Sequence, residues 1–463
     1  MTARRAAPVA ASARLALAAS ACLASFACFW LAQRAAHVSM IDLLVYRAEG
    51  WTVRTGGDLY AMRATHARLP TTYPPFAALL FTPLTLVATA PLRTLTALAD
   101  LGLLLALAHL SLRLAGRPPR AAVTLVAAAL CVWCEPVWTT LRYGQVNLLL
   151  AVLVLWDVTR ATGREGRWAG AGIGIAAGIK LTPALFAVFL AMTGLARREA
   201  AAGPASRGSG RELRQAAVAC AAFTGTAAVG ALVLPYDSWR YWTDMLFATD
   251  RVGHAEDTAD QSLRGVLARL LHTGDPGVWW AAAAAVVAAA GLTVAVRARL
   301  YGPEPTAHAW GVLACAATAL LVCPVSWSHH WVWCVPMVLL LATEAVRATG
   351  RRGAAWWMAT VACGALFCSY ALWLVPHGPR GRLELHQNGG QMLLSACYPA
   401  AAVAFLLLAH ARTSRPGASV PAVSDLHGGR RRRRGGTPSP PPASPRTGAS
   451  SPCPRVPADG SGT

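Results

Sequence analysis

The sequence predicts an all-α polytopic membrane protein, and three features of it do so. Hydrophobic residues make up 55% of the chain and charged residues 14%, where a soluble domain carries about 25% charged residues. Apolar stretches of roughly 17–25 residues, long enough to span a bilayer, recur throughout. Arginines gather in the short connections between them, as the positive-inside rule distributes them. The net charge of +21 has the sign of a nucleic-acid binder. It lies in loops and the C-terminal tail rather than along one helix face, so no nucleic-acid partner is expected.

Ala13 to Leu31 is the first apolar segment, with Arg4, Arg5 and Arg14 before or within its start. That basic flank and the lack of a clear cleavage site suit an uncleaved span with a cytoplasmic N-terminus. The loop at 33–73 is polar and is expected outside. Later apolar segments run over roughly 75–91, 96–112, 121–139, 146–159, 168–179, 182–195, 215–234, 278–297, 307–323, 329–346, 354–375 and 391–410, which gives about twelve or thirteen in all. The two segments flanking Lys180 and Pro183 are short for a crossing and suit a broken or re-entrant pair. These spans make one integral membrane domain, 1–411. Residues 412–463, rich in Arg, Pro, Ser and Gly with a run from Arg430 to Arg434, read as a disordered basic cytoplasmic tail. The tail either binds anionic lipid or only fixes topology.

Counting back from the tail puts the arginine loops on the inner face of a plasma membrane. One count conflicts: two spans between 75 and 112 would put Arg113, Arg117 and Arg120 outside. Either 75–91 or 96–112 then fails to cross, or another boundary is misplaced.

With this orientation the polar clusters share the outer face. They are the Asp42 loop, Tyr73-Pro74-Pro75, Arg142-Tyr143-Gly144-Gln145-Val146-Asn147, Lys180-Leu181-Thr182-Pro183, Tyr236 to Asp275, and Ser326-Trp327-Ser328-His329-His330. Ionisable groups at a membrane face are costly unless solvated or partnered, so they are functional candidates. A lipid or sugar transporter is an alternative reading; it would more naturally carry polar groups near mid-span and matching internal repeats, and no such repeat is seen.

Lysine occurs once, at Lys180, and every other one of the 42 basic residues is arginine. Either the chemistry there needs an amine, as in a phosphate clamp, or one neutral lysine has survived a codon bias; a snorkelling lysine that ends a helix is the plainer alternative. Thr182 with Pro183, and Ser326 or Ser328, have the pattern of helix N-caps, whose free N–H groups suit an anion. Asp42, about one turn beyond the first span, has the chemistry of a general base for a hydroxyl, and equally of a solvated loop aspartate. Asp58 is its rival, in a Gly-Gly-Asp context that also suits a structural Asx turn. His329 and His330 suit substrate binding, proton transfer or a structural hydrogen bond. No metal is expected: adjacent histidines lack acidic partners, and Cys131 with Cys134 has no second pair. No Gly-rich nucleotide loop appears, and no cofactor is expected.

Taken together, Asp42-Leu43-Leu44-Val45-Tyr46, Gly57-Asp58-Leu59-Tyr60, Thr72-Tyr73-Pro74-Pro75-Phe76 and the three later blocks resemble, in order, the polyprenyl-phosphate-mannose-dependent α-mannosyltransferases, glycosyltransferase family eighty-seven. The resemblance covers about residues 40–345. It implies a multi-span glycosyltransferase that moves a mannosyl group from a polyprenyl-phosphate donor to a glycan or glycolipid acceptor with inversion. It implies an acidic base in the first outer loop, which maps onto Asp42. A phosphate leaves readily, so one base suffices where a glycosidase needs two carboxylates. On this reading Lys180, Arg142 and Arg264 stabilise the departing phosphate, while Tyr73, Tyr143, Gln145, Asn147, His329 and His330 line the substrate site. The loop with Asp244, Asp250, Arg251, Asp257, Asp260, Gln261 and Ser262 shapes the acceptor side. Another lipid-linked sugar, such as arabinofuranosyl, fits the same blocks.

Overall fold

A computed structural model describes residues 3–160, 164–200, 209–378 and 381–413. The expected tail, with its Arg430–Arg434 run, lies outside the described residues.

The described chain is almost wholly helical. Its α-helices are, in order, α1 (Ala3–Ala35), α2 (Ile41–Thr55), α3 (Pro75–Phe81), α4 (Thr89–Leu114), α5 (Ala121–Cys131), α6 (Glu135–Tyr143), α7 (Asn147–Arg160), α8 (Ala171–Ile179) and α9 (Ala184–Ala200). There follow α10 (Ser209–Val233), α11 (Pro235–Arg240), α12 (Leu263–Leu270), α13 (Gly277–Tyr301), α14 (Ala307–Val322), α15 (Cys334–Arg347), α16 (Gly350–Cys368), α17 (Gly389–Ser395) and α18 (Cys397–Thr413). Among these residues the only sheet is a two-residue antiparallel pairing, Arg63–Ala64 with Leu69–Pro70.

Five helices are long and apolar enough to cross a membrane: Ala11–Ala35, Thr89–Leu114, Gly210–Val233, Gly277–Tyr301 and Ser328–Arg347. The bent pairs α5 with α6, at 79°, and α17 with α18, at 67°, raise this to seven. Other expected segments exist as shorter helices, and prolines explain several of the breaks. Pro75 starts α3, and Pro83 ends it at Phe81 in a 3-10 turn over Thr82–Leu86, because proline lacks the N–H an α-helix interior needs. So 75–91 is not one helix of membrane-spanning length, which is one of the alternatives raised for Arg113, Arg117 and Arg120. Pro136 similarly begins α6 as a new helix after the Cys131–Cys134 turn.

The core runs through the bundle and includes Leu104, Leu107, Val154, Leu313, Trp310 and Val335, all almost fully buried. Trp310 stacks on Phe405 with ring centroids 4.9 Å apart. Helix–helix contacts of this kind rest on van der Waals packing and small residues. The run Ala171-Gly-Ile-Gly-Ile-Ala-Ala-Gly-Ile179 makes the point. A Cβ on Gly174 would stand 2.3 Å from the Ala219 carbonyl oxygen, and one on Gly178 would meet the Thr226 hydroxyl. Only glycine lets α8 lie this close to α10, and α8 is the helix that ends at Lys180. Arg412, expected at the start of the tail, instead belongs to the last turn of α18. It pairs with Glu344 at 2.8 Å and lies 5.1 Å over the Trp310 ring.

Candidate active site

Several connections separated widely in sequence meet around a cavity of about 260 Å³, whose walls include Asp42, Tyr73, Gln145, Lys180, Arg251 and His330. Each is placed by a local break in helix structure. Asp42 lies in the first turn of α2, after Met40 in a left-handed conformation. Gln145 follows Gly144, which ends α6 with φ of 68°. A Cβ at Gly144 would come within 2.8 Å of the Leu43 side chain. Glycine therefore allows both the turn and the approach of α2 that brings Gln145 to Asp42.

The Gln145 amide is oriented by its neighbours. Its Oε1 accepts the Tyr46 hydroxyl at 2.7 Å and the Tyr73 hydroxyl at 3.2 Å, and the two phenol oxygens are 2.8 Å apart. With Oε1 used as an acceptor, Nε2 donates to Asp42 Oδ2 at 2.8 Å. The carboxylate is thereby held as an acceptor. Burial pushes the Asp42 carboxyl up from its ordinary range to about 6, against the opposing pull of Gln145 and of the Lys180 charge. A carboxyl poised near neutrality and touching a cavity is suited to general-base work. Further along the same face of α2, Glu49 is fully buried. Burial, with the Asp42 charge acting in the same direction, pushes its carboxyl up to about 8.

Lys180 closes the opposite wall. Its Nζ is 2.7 Å from His330 Nε2 and 3.3 Å from Asn147 Oδ1. An ammonium only donates, so His330 accepts at Nε2 and keeps its proton on Nδ1. Asn147 also donates through Nδ2 to the His329 carbonyl at 3.1 Å, and Thr140 donates to the same oxygen at 2.9 Å. Lys180 further lies 5.8 Å from the Tyr73 ring centre.

The segment Ser326–His330 is a strap tied on both sides. Gln261 N donates to Ser326 O and Ser328 N to Ala259 O, each at 2.8 Å, forming a bridge between Asp260 and Trp327. Asp260 Oδ1 accepts Ser326 N at 2.9 Å and Ser262 N at 3.0 Å; burial nonetheless pushes its carboxyl up to about 6. Ser328 donates its hydroxyl to Glu135 Oε1 at 2.8 Å, and Thr139, Trp373 and Tyr398 donate to the same carboxylate. Neither serine caps a helix as expected, and α9 begins after Pro183 with the Thr182 hydroxyl directed to Cys323 Sγ at 3.8 Å.

Not every expected residue reaches the cavity. Arg142 is exposed in the last turn of α6, and Arg264 is buried in α12, its guanidinium 6.0 Å from the Trp280 ring. Neither lines the cavity, and the structure replaces them there with Arg251, whose Nη2 donates to the Tyr60 carbonyl at 2.8 Å. Tyr143 and His329 pack edge to face at 5.5 Å behind His330 and outside the cavity wall. Asn147 reaches the adjoining apolar recess, which shares Lys180, Thr182, Cys323 and His330 with the main cavity and continues past Phe186, Leu320 and Trp333. Asp58 forms the Asx turn its context suggested, accepting Tyr60 N at 2.9 Å and Ala61 N at 2.8 Å and pairing with Arg240. In the loop from Tyr236 to Asp275, Asp260 and Gln261 serve the strap, Ser262 caps α12 by accepting Gly265 N at 3.0 Å, and the Asp250 side chain lies outside the described set. Glu135 was missed, although a glutamate inside the apolar stretch 121–139 is the kind of signal that marks a partnered group. No group of three or more His, Cys, Asp or Glu able to hold a metal occurs among the described residues.

Comparisons with known proteins bear on the family of the chain. The sequence model of glycosyltransferase family 87 matches residues 72–324. The chain is 33% identical over 320 residues to a polyprenol-phosphate-mannose-dependent alpha-(1-2)-phosphatidylinositol mannoside mannosyltransferase of Mycobacterium tuberculosis, covering 65% of this chain and 70% of that protein. It is 32% identical over 336 residues to the corresponding pentamannoside mannosyltransferase of Mycolicibacterium smegmatis, covering 70% of this chain and 75% of that protein. No solved structure matches. A family model that spans more than half of the chain, and a relative 32% identical over 70% of it, leave one assignment: the chain belongs to glycosyltransferase family 87.

Proposed function

We propose that this enzyme transfers a mannosyl residue, with inversion, from a polyprenyl-phosphate donor to a glycolipid or glycan acceptor at the outer face of the plasma membrane. The observation that carries the reading is the single cavity-facing carboxylate, Asp42, held by Gln145 across from Lys180. Asp42 accepts the proton of the acceptor hydroxyl as that oxygen bonds to the sugar's C1. The bond from C1 to the phosphate oxygen breaks, and its electron pair leaves with the polyprenyl phosphate. Lys180 and Arg251 are the cations of the cavity wall and stabilise the charge that develops on the leaving phosphate. The recess past Phe186, Leu320 and Trp333 suits the first isoprene units. The arginine loops and the tail face the cytoplasm on this reading, as the positive-inside rule requires.

The test is sugar transfer from radiolabelled polyprenyl-phosphate-mannose in membranes that express wild type or Asp42→Asn at equal level. Removing a general base costs about 10²–10⁴-fold in rate, so the variant should lose transfer to that extent. Equal activity in both would remove Asp42 from the role. No transfer by either would turn the question to another lipid-linked sugar.

A further inference from the structure

The helices that hold the active site at one end enclose a second cavity at the other. It measures about 220 Å³, and its wall includes Arg113, Arg211, Arg299, Glu212, Glu304 and His308. Arg113 and Arg299 lie in the last turns of α4 and α13, while Arg211 and His308 lie in the first turns of α10 and α14. α7 begins at Asn147 beside Lys180 and runs 14 residues to this cavity, and α14 returns over 16 residues to Cys323 in the active-site wall. At 1.5 Å per residue the two cavities stand roughly 20–25 Å apart, at opposite ends of the bundle.

The second cavity is built from donors and acceptors of unequal satisfaction. Glu212 is shared between two guanidiniums, Arg197 at 3.3 Å and Arg299 at 3.5 Å. Arg113 and Arg211 are exposed and belong to no ion pair among the described residues. Positive charge is therefore in excess. His308 Nε2 lies 3.1 Å from the Val158 carbonyl oxygen, which only accepts, so that nitrogen carries the proton. Its Nδ1 is left a buried acceptor without a described partner, and so is Glu212 Oε2. A phosphodiester without hydroxyls would satisfy the guanidiniums and leave both acceptors empty. A phosphate ester whose alcohol carries further hydroxyls would satisfy both.

We propose that this second cavity binds a hydroxyl-bearing phosphodiester, the headgroup chemistry of an anionic glycerophospholipid, at the membrane face opposite the active site. Basic pockets between helices at the face carrying the arginine loops are suited to such headgroups. The ligand class is argued from donors and acceptors on this chain and does not depend on the transfer reaction.

Native mass spectrometry of the detergent-purified full chain tests it, with phosphatidylglycerol, phosphatidylcholine or soluble glycerophosphoglycerol as probes. Wild type should retain phosphatidylglycerol over phosphatidylcholine. The double variant Arg113→Gln/Arg211→Gln, with its melting temperature measured to confirm folding, should lose that retention about tenfold or more. The control Arg351→Gln/Arg352→Gln, exposed and outside the cavity wall, should keep it. Equal retention of the two lipids, an undiminished double variant, or equal loss in the control would each overturn the site. Binding of glycerophosphoglycerol as tightly as the lipid would keep the headgroup chemistry and assign the ligand to the aqueous phase.

Discussion

Replacing Gln145 with leucine tests the electrostatics of the proposed base more sharply than replacing the base. Gln145 donates the hydrogen bond that reaches Asp42 at 2.8 Å, and that bond favours the charged carboxylate. A hydrogen bond to a charged group contributes about 1.5–3 kcal/mol, and about 1.4 kcal/mol corresponds to one pKa unit. Wild type should lose activity on the acid side with a midpoint near 6, the value to which burial lifts Asp42. Gln145→Leu should move that midpoint upward by about one unit or more, because the bond that held the pKa down is gone. For a one-unit move, the ionised fraction at pH 6 drops about fivefold, while at pH 8 it drops only by about a tenth. The variant is thus strongly impaired in acid and nearly normal in mild base. The assay is transfer from polyprenyl-phosphate-mannose in nanodiscs between pH 5 and 9. A uniform fall across pH with an unmoved midpoint would refute the reasoning, since Gln145 would then only place substrate. So would a wild-type midpoint near 4, which would mean Asp42 is not desolvated.

Lys180→Met should reduce transfer by about 10²-fold, as expected for loss of a preorganised charge. Lys180→Arg should fail to restore it, because a planar fork does not replace an ammonium seated 2.7 Å from His330; full rescue in the same assay would show that charge alone matters. Gly144→Ala should lower the melting temperature, since a left-handed residue with a side chain costs about 1–2 kcal/mol and its Cβ meets Leu43 at 2.8 Å. Glu49→Gln should keep activity at neutral pH, because the wild-type group, pushed up to about 8, is already protonated there. Above the ordinary carboxylate range the unfolded chain releases this proton while the folded chain keeps it, so wild-type stability falls as pH rises toward about 8. Thermal melts should show a smaller fall in the glutamine variant, and parallel curves would count against a buried proton at Glu49.

The membrane class was plain in the sequence, because a bilayer demands long apolar segments whatever the fold. The blocks around Asp42, Tyr73, Gln145, Lys180 and His330 were also visible, and the structure brings them to one cavity. Charge type alone could not distinguish Arg142 and Arg264 from Arg251: which arginine faces the cavity depends on helix rotation and loop path, which no single-residue property encodes. Helix length was similarly hard to read, since Pro83 and Pro136 divide apolar stretches that hydropathy joins. Glu135 shows the reverse case. Its burial depends on donors from Ser328, Trp373 and Tyr398, and those are up to 263 residues away.

The strap carrying His329 and His330 has a consequence for traffic. It is fastened through Ala259, Asp260, Gln261 and Glu135, so swinging it aside would break several buried hydrogen bonds together. The facing wall, Tyr241 to Val252, is a π-turn and a 3-10 turn, and among the described hydrogen bonds it reaches other segments through Arg251. On the proposed function, a lipid donor would have to pass that side, where apolar packing of Tyr241, Trp242 and Met245 gives way more readily than the bonded strap. The histidines would serve as the fixed jamb, and Arg251 as the latch.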